Sequence, residues 1–315
     1  MPDLILHHYP QSPFSEKIRL VLGFKGLAWK SVIVPAIMPK PDVVALTGGY
    51  RKTPFLQIGA DIYCDSALIC EVLEERHPAP TLYPPAQAAL AQTLAQWADN
   101  TLFWAAMAYN LQPKGAAALF AGAPPEAVQA FGADRAAMTT GMVRLRPADA
   151  TVAYQTYLQR LEGQLTGQNF LLGSAPCVAD FAAYHPLWYT RTCVPVLADI
   201  LDATPSVLAW MDRMAAFGHG TMEKYSATES IAACARSAGA TAHFDHNFVD
   251  LHGIPLGKPV TIAAESFGAE TTAGELVAAT ATRYTLRRTD ARAGTVHVHF
   301  PRVGYVLRKA ESQPQ

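Results

Sequence analysis

The apolar positions along the chain change rhythm twice. Up to about residue 85, short runs with strand character alternate with runs at helical spacing. Leu4–His7 and Ser31–Val34 read as strands, and Phe55–Ile58 and Asp61–Cys64 flank Gly59-Ala60 as a hairpin. Glu16–Phe24 and Ser66–Glu75 read as helices, the first ending near Gly26 and the second before Pro78. The order β-α-β, then ββ-α, predicts a small mixed sheet covered by helices. From 86 to 225 the spacing is helical throughout: Leu90, Leu94, Trp97, Thr101 and Trp104 step by three and four, as do Tyr154, Tyr157, Leu158, Leu161 and Leu165. Thr204 ahead of Pro205 predicts a capped helix start. The Ala-, Gly- and Pro-rich stretch from Pro113 to Ala150 predicts an irregular connection with short helices. The pattern changes again beyond 240, where Val260–Ala264, Leu276–Arg287 and Thr295–Val306 are β-rich and punctuated by Gly268, Gly274 and Gly294. The expectation is an α+β chain in three parts: 1–85 mixed, 86–225 all-helical, and 226–315 a linker helix over Thr228–Ser237 with a small β-rich module.

Composition narrows the functions available. A chain of 315 residues, half of them hydrophobic, is long enough for two or three cored domains. A formal net charge of −1 argues against nucleic acid or an anionic membrane as the main partner. No apolar run reaches transmembrane length, and Met1-Pro2-Asp3 lacks the basic start of a signal peptide, so a cytoplasmic protein is expected. The five scattered cysteines show no paired spacing and are expected to be reduced and mostly buried. His243 with His246, and His297 with His299 on one strand face, fit no zinc spacing, so no metal is expected.

Four motifs carry the chemistry: LHHYPQSPFSEKIRLVLGFKGL, KTPFLQIG, CDSALICEVLE and FLLGSAPCVADF. In this order they resemble the glutathione transferases, and the Ser-Pro-Phe-Ser-Glu segment most resembles the omega-like and serine-type branches. The resemblance covers roughly the first two-thirds of the chain. It implies a thioredoxin-like domain over 1–85, an all-α transferase domain after it, glutathione as co-substrate, a small hydrophobic electrophile and a homodimer. No family motif falls in 241–315, which is expected to be separable from the glutathione site.

By the resemblance, Ser12 stands where the omega branch has its catalytic cysteine and other branches their catalytic serine. Local sequence alone reads Ser12 as an N-cap, because Pro13 follows it. Both roles are compatible, since a helix N-terminus welcomes an anion. A thiol of pKa about 8.5 is about 3% ionised at pH 7, and lowering it by about two units needs about 2.7 kcal/mol. A hydrogen bond to a charged group supplies about 1.5–3 kcal/mol, and the helix N-terminus about 0.3–1 kcal/mol. A serine suffices. Without cysteine at 12 or 15 no mixed disulfide forms there, which favours conjugation or addition over thiol transfer.

The resemblance further places Thr53, before the family's cis-proline position at Pro54, against the cysteinyl backbone of glutathione. Asp65 and Ser66 fall on the pair that meets the γ-glutamyl ammonium and carboxylate, with Asp65 where Glu is common. Lys40 and Lys52 are candidates for the glycyl carboxylate. The tyrosine that activates the thiol in some branches falls on His8, so Tyr9 is placed with Phe14, Trp104, Tyr109 and Trp188 as lining of the electrophile pocket. Cys177-Val-Ala-Asp180 occupies the family's buried capping box, where cysteine is a poor cap for a structural role.

Two classes of function follow. The first is a transferase in which Ser12 activates the glutathione thiolate, with isomerisation and dehalogenation as variants of the same site. The second is a glutathione-binding or partner-binding protein without turnover, whose β module is the working part.

Overall fold

The computed structural model describes residues 2–237 and 248–310. Strand β1 (Ile5–His8) lies parallel to β2 (Ala28–Ile33) and antiparallel to β3 (Phe55–Ile58), which forms a hairpin with β4 (Asp61–Cys64). Helix α1 (Pro13–Phe24) crosses from β1 to β2, α2 (Pro41–Thr47) follows β2, and α3 (Ser66–Arg76) follows β4. This is the thioredoxin-like arrangement expected. Helix α2 is absent from the sequence reading because its seven residues are too short to show a period. It starts on Pro41 and stops at Gly48, whose φ of 81° suits glycine.

The helical half contains α4 (Ala88–Trp97), α5 (Phe103–Asn110), α6 (Pro113–Leu119), α7 (Pro125–Met138), α8 (Pro147–Leu165), α9 (Val178–Trp188) and α10 (Pro205–Ala215). A widened π turn, Ala98–Leu102, joins α4 to α5, so the Leu90-to-Trp104 periodicity runs through one rod. The expected irregular connection is helical for much of its length, in α6, α7 and the start of α8. Thr204 precedes α10 as expected, yet its hydroxyl donates to the Leu201 carbonyl instead of capping. Glu162 takes over, accepting the N–H groups of Ser206 and Val207 at 3.1 and 3.0 Å. Asp180 accepts from Cys177 N, Leu171 N and Trp210 Nε1 at 2.8–2.9 Å, so it ties three segments of the helical core. The segment before Tyr225 is not helical. It forms β5 (Thr221–Lys224), parallel to β2 at the edge of the sheet.

Helix α11 (Ala227–Ser237) matches the expected linker helix. The three β-rich segments resolve into five strands: β6 (Pro259–Ala264), β7 (Thr272–Ala279), β8 (Arg283–Asp290), β9 (Gly294–Pro301) and β10 (Tyr305–Lys309). They do not make a separate sheet. Strand β9 pairs parallel with β4, Asp61 to His297 through Tyr63 to His299, giving, among the described residues, ten strands in the order β10-β6-β7-β8-β9-β4-β3-β1-β2-β5. The second face of the thioredoxin-like sheet shares one buried cluster with these strands: Val32, Phe55 and Ile62 lie in it with Leu286, Val298 and Phe300. The expectation of a separable module is corrected on this point. A sheet this small needs cover for its apolar face, and it found that cover in the domain at the start of the chain.

The added strands also roll. Five strand steps separate β10 from β4, roughly 24 Å in a flat sheet at about 4.8 Å per step. Yet the Tyr305 hydroxyl at the start of β10 lies 3.1 Å from Asp65, directly after β4. Strand β10 therefore folds back over β9, with the rings of Phe300 and Tyr305 5.4 Å apart. His299 is held between Thr285 and Asp61, both at 2.9 Å, and His297 lies 4.0 Å from the same carboxylate. Among the described residues no group of three or more His, Cys, Asp or Glu side chains could hold a metal ion, and no helix is long and apolar enough to cross a membrane. His243 and His246 lie outside the described residues.

Candidate functional site

Register gathers the predicted residues at one end of the sheet. His7 of β1 is opposite Phe55 at the start of β3, and Phe55 is opposite Cys64 at the end of β4. The loop after β1, the residues before β3 and the residues after β4 therefore converge. They carry Ser12, then Thr53 with Pro54, then Asp65 with Ser66. The Thr53–Pro54 peptide bond is cis.

Ser12 caps α1, its Oγ accepting the Ser15 N–H at 3.2 Å, and it is buried. A hydroxyl has two lone pairs and one proton, so this cap leaves the proton free to donate. Behind it, α1 presents Glu16 and Arg19 to each other at 2.6 Å, and Arg19 also reaches His8 Nδ1 at 3.1 Å. His8 Nε2 meets the Ser31 hydroxyl at 2.8 Å. Burial, with the Arg19 guanidinium adding to it, pushes the His8 pKa down to about 3, so the imidazole stays neutral. His8, where some branches carry tyrosine, is thus committed to the scaffold. Tyr9 is half-buried and packs against the second core.

Asp65 caps α3 in a left-handed backbone conformation, φ 83°, with Oδ1 accepting the Ala67 N–H at 2.9 Å. Its own N–H donates to the Tyr50 hydroxyl at 3.1 Å, and its Oδ2 accepts the Tyr305 hydroxyl at 3.1 Å. Lys52 lies against both rings, its Nζ 5.4 Å from the centre of Tyr50 and 4.9 Å from that of Tyr305. Burial lowers the Lys52 pKa. Ser66 is buried and accepts from Lys17 Nζ at 3.2 Å. The Lys40 ammonium is buried and donates to the Arg51 carbonyl at 3.0 Å, and burial pushes its pKa down to about 8. Its role here is to hold the backbone just before Lys52.

A buried ion pair locks the two halves together beneath this end. Lys17 Nζ lies 2.5 Å from Asp99, in the π turn, and Asp99 also meets His185 at 3.0 Å. Burial works against the Lys17 charge, and Asp99 more than offsets it, leaving the pKa above that of an ordinary lysine. On the opposite wall, Arg51 pairs with Asp134 of α7 and with Glu270 of the β6–β7 loop, both at 2.5 Å. The same loop lays Phe267 against Trp104, ring centres 5.2 Å apart, and donates the Gly268 N–H to the Met138 carbonyl at 2.9 Å. Trp104 thus sits half-buried where α5 faces the module. Phe14 packs between Phe103 and His185 at 4.7 and 4.5 Å, in the seam between the halves. Trp188 is half-buried with Arg19 above its ring. Tyr109 stands apart from the lining: it is buried in the helical core, and its hydroxyl donates to the Leu197 carbonyl at 3.2 Å.

Sequence reasoning missed Tyr50, Arg51, Phe267, Glu270 and Tyr305. None carries a local signal, because each matters only through a partner brought by the sheet.

The comparisons with known proteins agree with this architecture. Residues 6–81 match the family model of the glutathione S-transferase N-terminal domain, and residues 126–213 that of the C-terminal domain. A GST-like protein from Pseudomonas syringae superposes with a TM-score of 0.81 at 42% identity, covering 98% of this chain and 100% of that one. That likeness takes in the C-terminal strands. FtsZ-localized protein A of Caulobacter vibrioides is 28% identical over 184 residues, 56% of this chain and 73% of that protein. Glutathione S-transferase omega-2 of Mus musculus is 26% identical over 226 residues, 68% and 76% of the two chains. With both family domains matched in order, and a structural relative 42% identical over nearly the whole chain, this chain belongs to the glutathione S-transferase family.

Proposed function

We propose that the chain is a glutathione transferase whose Ser12 hydroxyl stabilises the glutathione thiolate for attack on a small hydrophobic electrophile. The carrying observation is the convergence of Ser12, Thr53 and the Asp65–Ser66 pair at one end of the sheet. Glutathione lies along that end in this reading. Its γ-glutamyl ammonium meets the Asp65 carboxylate, and its γ-glutamyl carboxylate meets Ser66 and the N-terminus of α3, with the Lys17 ammonium behind. The cysteinyl backbone pairs with Thr53. The sulfur arrives at Ser12, where the hydroxyl donates its proton as a hydrogen bond while the oxygen keeps the Ser15 N–H. The thiol proton leaves to solvent and the thiolate forms a carbon–sulfur bond, expelling halide to solvent from an aryl or alkyl halide, or adding to the β-carbon of an enone whose α-carbon then takes a proton from water. Lys40 and Lys52 are the candidate cations for the glycyl end: the Lys40 ammonium keeps two donors beyond its bond to the Arg51 carbonyl, and the Lys52 ammonium lies against the rings of Tyr50 and Tyr305. Trp104 and Phe267 supply the apolar wall for the electrophile. The molecule acts in the cytoplasm as a homodimer in this reading.

The test is calorimetric binding of glutathione together with conjugation assays on a panel of aryl halides, enones and alkyl halides. Turnover on one class with micromolar-to-millimolar glutathione affinity supports the assignment. A second reading, a glutathione- or partner-binding protein without turnover, is favoured by the relative named FtsZ-localized protein A and by the burial of Ser12. Binding without turnover on any electrophile selects it.

A further inference from the structure

The β strands that follow the helical half end at the ligand site, and one side chain there has no counterpart in the motifs of the first two-thirds of the chain. We infer that Tyr305 is a positioning residue for Asp65, so that the C-terminal strands complete the subsite for the γ-glutamyl ammonium. This rests on the proposed reading of Asp65 as the contact for that ammonium.

The Asp65 carboxylate is held at both oxygens. Oδ1 accepts the Ala67 N–H at 2.9 Å and Oδ2 the Tyr305 hydroxyl at 3.1 Å, while the backbone N–H is fixed on the Tyr50 hydroxyl at 3.1 Å. Each carboxylate oxygen keeps a further lone pair, so a ligand ammonium still has an acceptor. Without the Tyr305 bond one end of the carboxylate is free to rotate, and Lys52, which lies within reach of its charge, is a cation that can compete for it. The Tyr305 ring keeps that ammonium occupied, 4.9 Å from its centre and shared with Tyr50. The tyrosine therefore sets the direction of the acid through its hydroxyl and keeps the competing lysine on its face through its ring. Asp65 has a shorter reach than glutamate, and a short acid gains more from being aimed, because it cannot swing to find its ligand. The roll of the sheet is what delivers this hydroxyl across five strand positions.

The test uses the full chain. Calorimetry measures glutathione and the dipeptide Cys-Gly, which lacks the γ-glutamyl group, on the wild type, Tyr305→Phe, Asp65→Asn and the double variant. Tyr305→Phe keeps the ring and removes only the hydroxyl. The expected result is a roughly ten-fold weaker Kd for glutathione, of the size of a hydrogen bond to a charged group. Cys-Gly should be unaffected, and Tyr305→Phe should have no further effect once Asp65 is Asn. An unchanged or tighter glutathione Kd in Tyr305→Phe overturns the inference, the tighter one by showing that the hydroxyl competes with the ammonium. Loss of Cys-Gly binding alongside glutathione overturns it too, since the hydroxyl would then serve the fold at large. A wild type that fails to bind glutathione at all overturns the underlying reading of the site, and the inference with it.

Discussion

In the proposed reading, Ser12 asks one oxygen to hold a helix and a sulfur. Its Oγ accepts the Ser15 N–H and retains its own proton, so the two tasks use different parts of the hydroxyl. Ser12→Ala should lower saturated turnover about ten-fold or more, by loss of a bond worth about 1.5–3 kcal/mol to a charged partner, while glutathione affinity changes little. The same change removes a cap, so the melting midpoint should fall by the equivalent of about 1 kcal/mol. Steady-state kinetics and thermal melts read the two effects separately; a stability loss with turnover intact would leave Ser12 a cap only. Ser12→Cys should acquire thiol-disulfide exchange and alkylate with iodoacetamide faster than a free peptide thiol at neutral pH, because the helix N-terminus lowers a thiol pKa. Residues of this kind are legible in sequence, since a cap and a strand end are made by neighbours along the chain. Tyr305 is not legible, for its partner Asp65 lies 240 positions away.

At the scale of elements, β1 buries two consecutive histidines, one on each face of the sheet. His7 stacks on Phe55 with ring centres 4.2 Å apart, and its Nε2 meets Gln57 Oε1 at 2.9 Å. Burial pushes its pKa down to about 4 and that of His8 to about 3. Unfolding returns both to about 6.5, so below that value the unfolded chain binds more protons than the folded one. Stability is therefore full above about pH 6.5 and declines as the pH falls toward 4 and then 3. Each histidine contributes a slope of up to about 1.4 kcal/mol per pH unit within its window. Chemical denaturation at pH 7, 6 and 5 checks it, and a flat profile would contradict burial of neutral imidazoles. In α9, Cys177→Ser should raise the melting midpoint by the equivalent of about 1 kcal/mol, because oxygen is a better cap than sulfur. An unchanged or lower midpoint would count against it. Helices with a clear apolar stripe declare themselves by period, as α1, α3 and α10 do, whereas α7, fourteen mostly small residues, does not. Buried short strands such as β1, β3 and β4 are legible, but α2 is only seven residues long, and β5 is four exposed residues whose strand state depends on pairing with β2.

On the scale of the whole molecule, the last strands are part of the first domain's sheet. A chain ending at Tyr225 would leave the β4 edge unpaired and strip the cover from Val32, Phe55 and Ile62. Such a fragment should lose its cooperative melting transition and aggregate, as read by circular dichroism and light scattering. A soluble fragment with a sharp transition and full-length glutathione affinity would show that the strands are dispensable. Composition marks the extension as β-rich, but the alternation of a strand does not encode which distant edge it joins, so the module reads in sequence as a separate body. The β4–β9 pairing has a consequence in time as well as in space. His299 and its Asp61 partner are 238 positions apart, so a ribosome must add that stretch after β4 before the sheet begun by the first 64 residues can close. Throughout synthesis that sheet waits with a bare edge and a bare apolar face. Refolding from denaturant should accordingly have its slowest phase in the closure of β9 on β4, visible as late hydrogen-exchange protection of Ile62 and Val298, long after the helices of the middle third are protected.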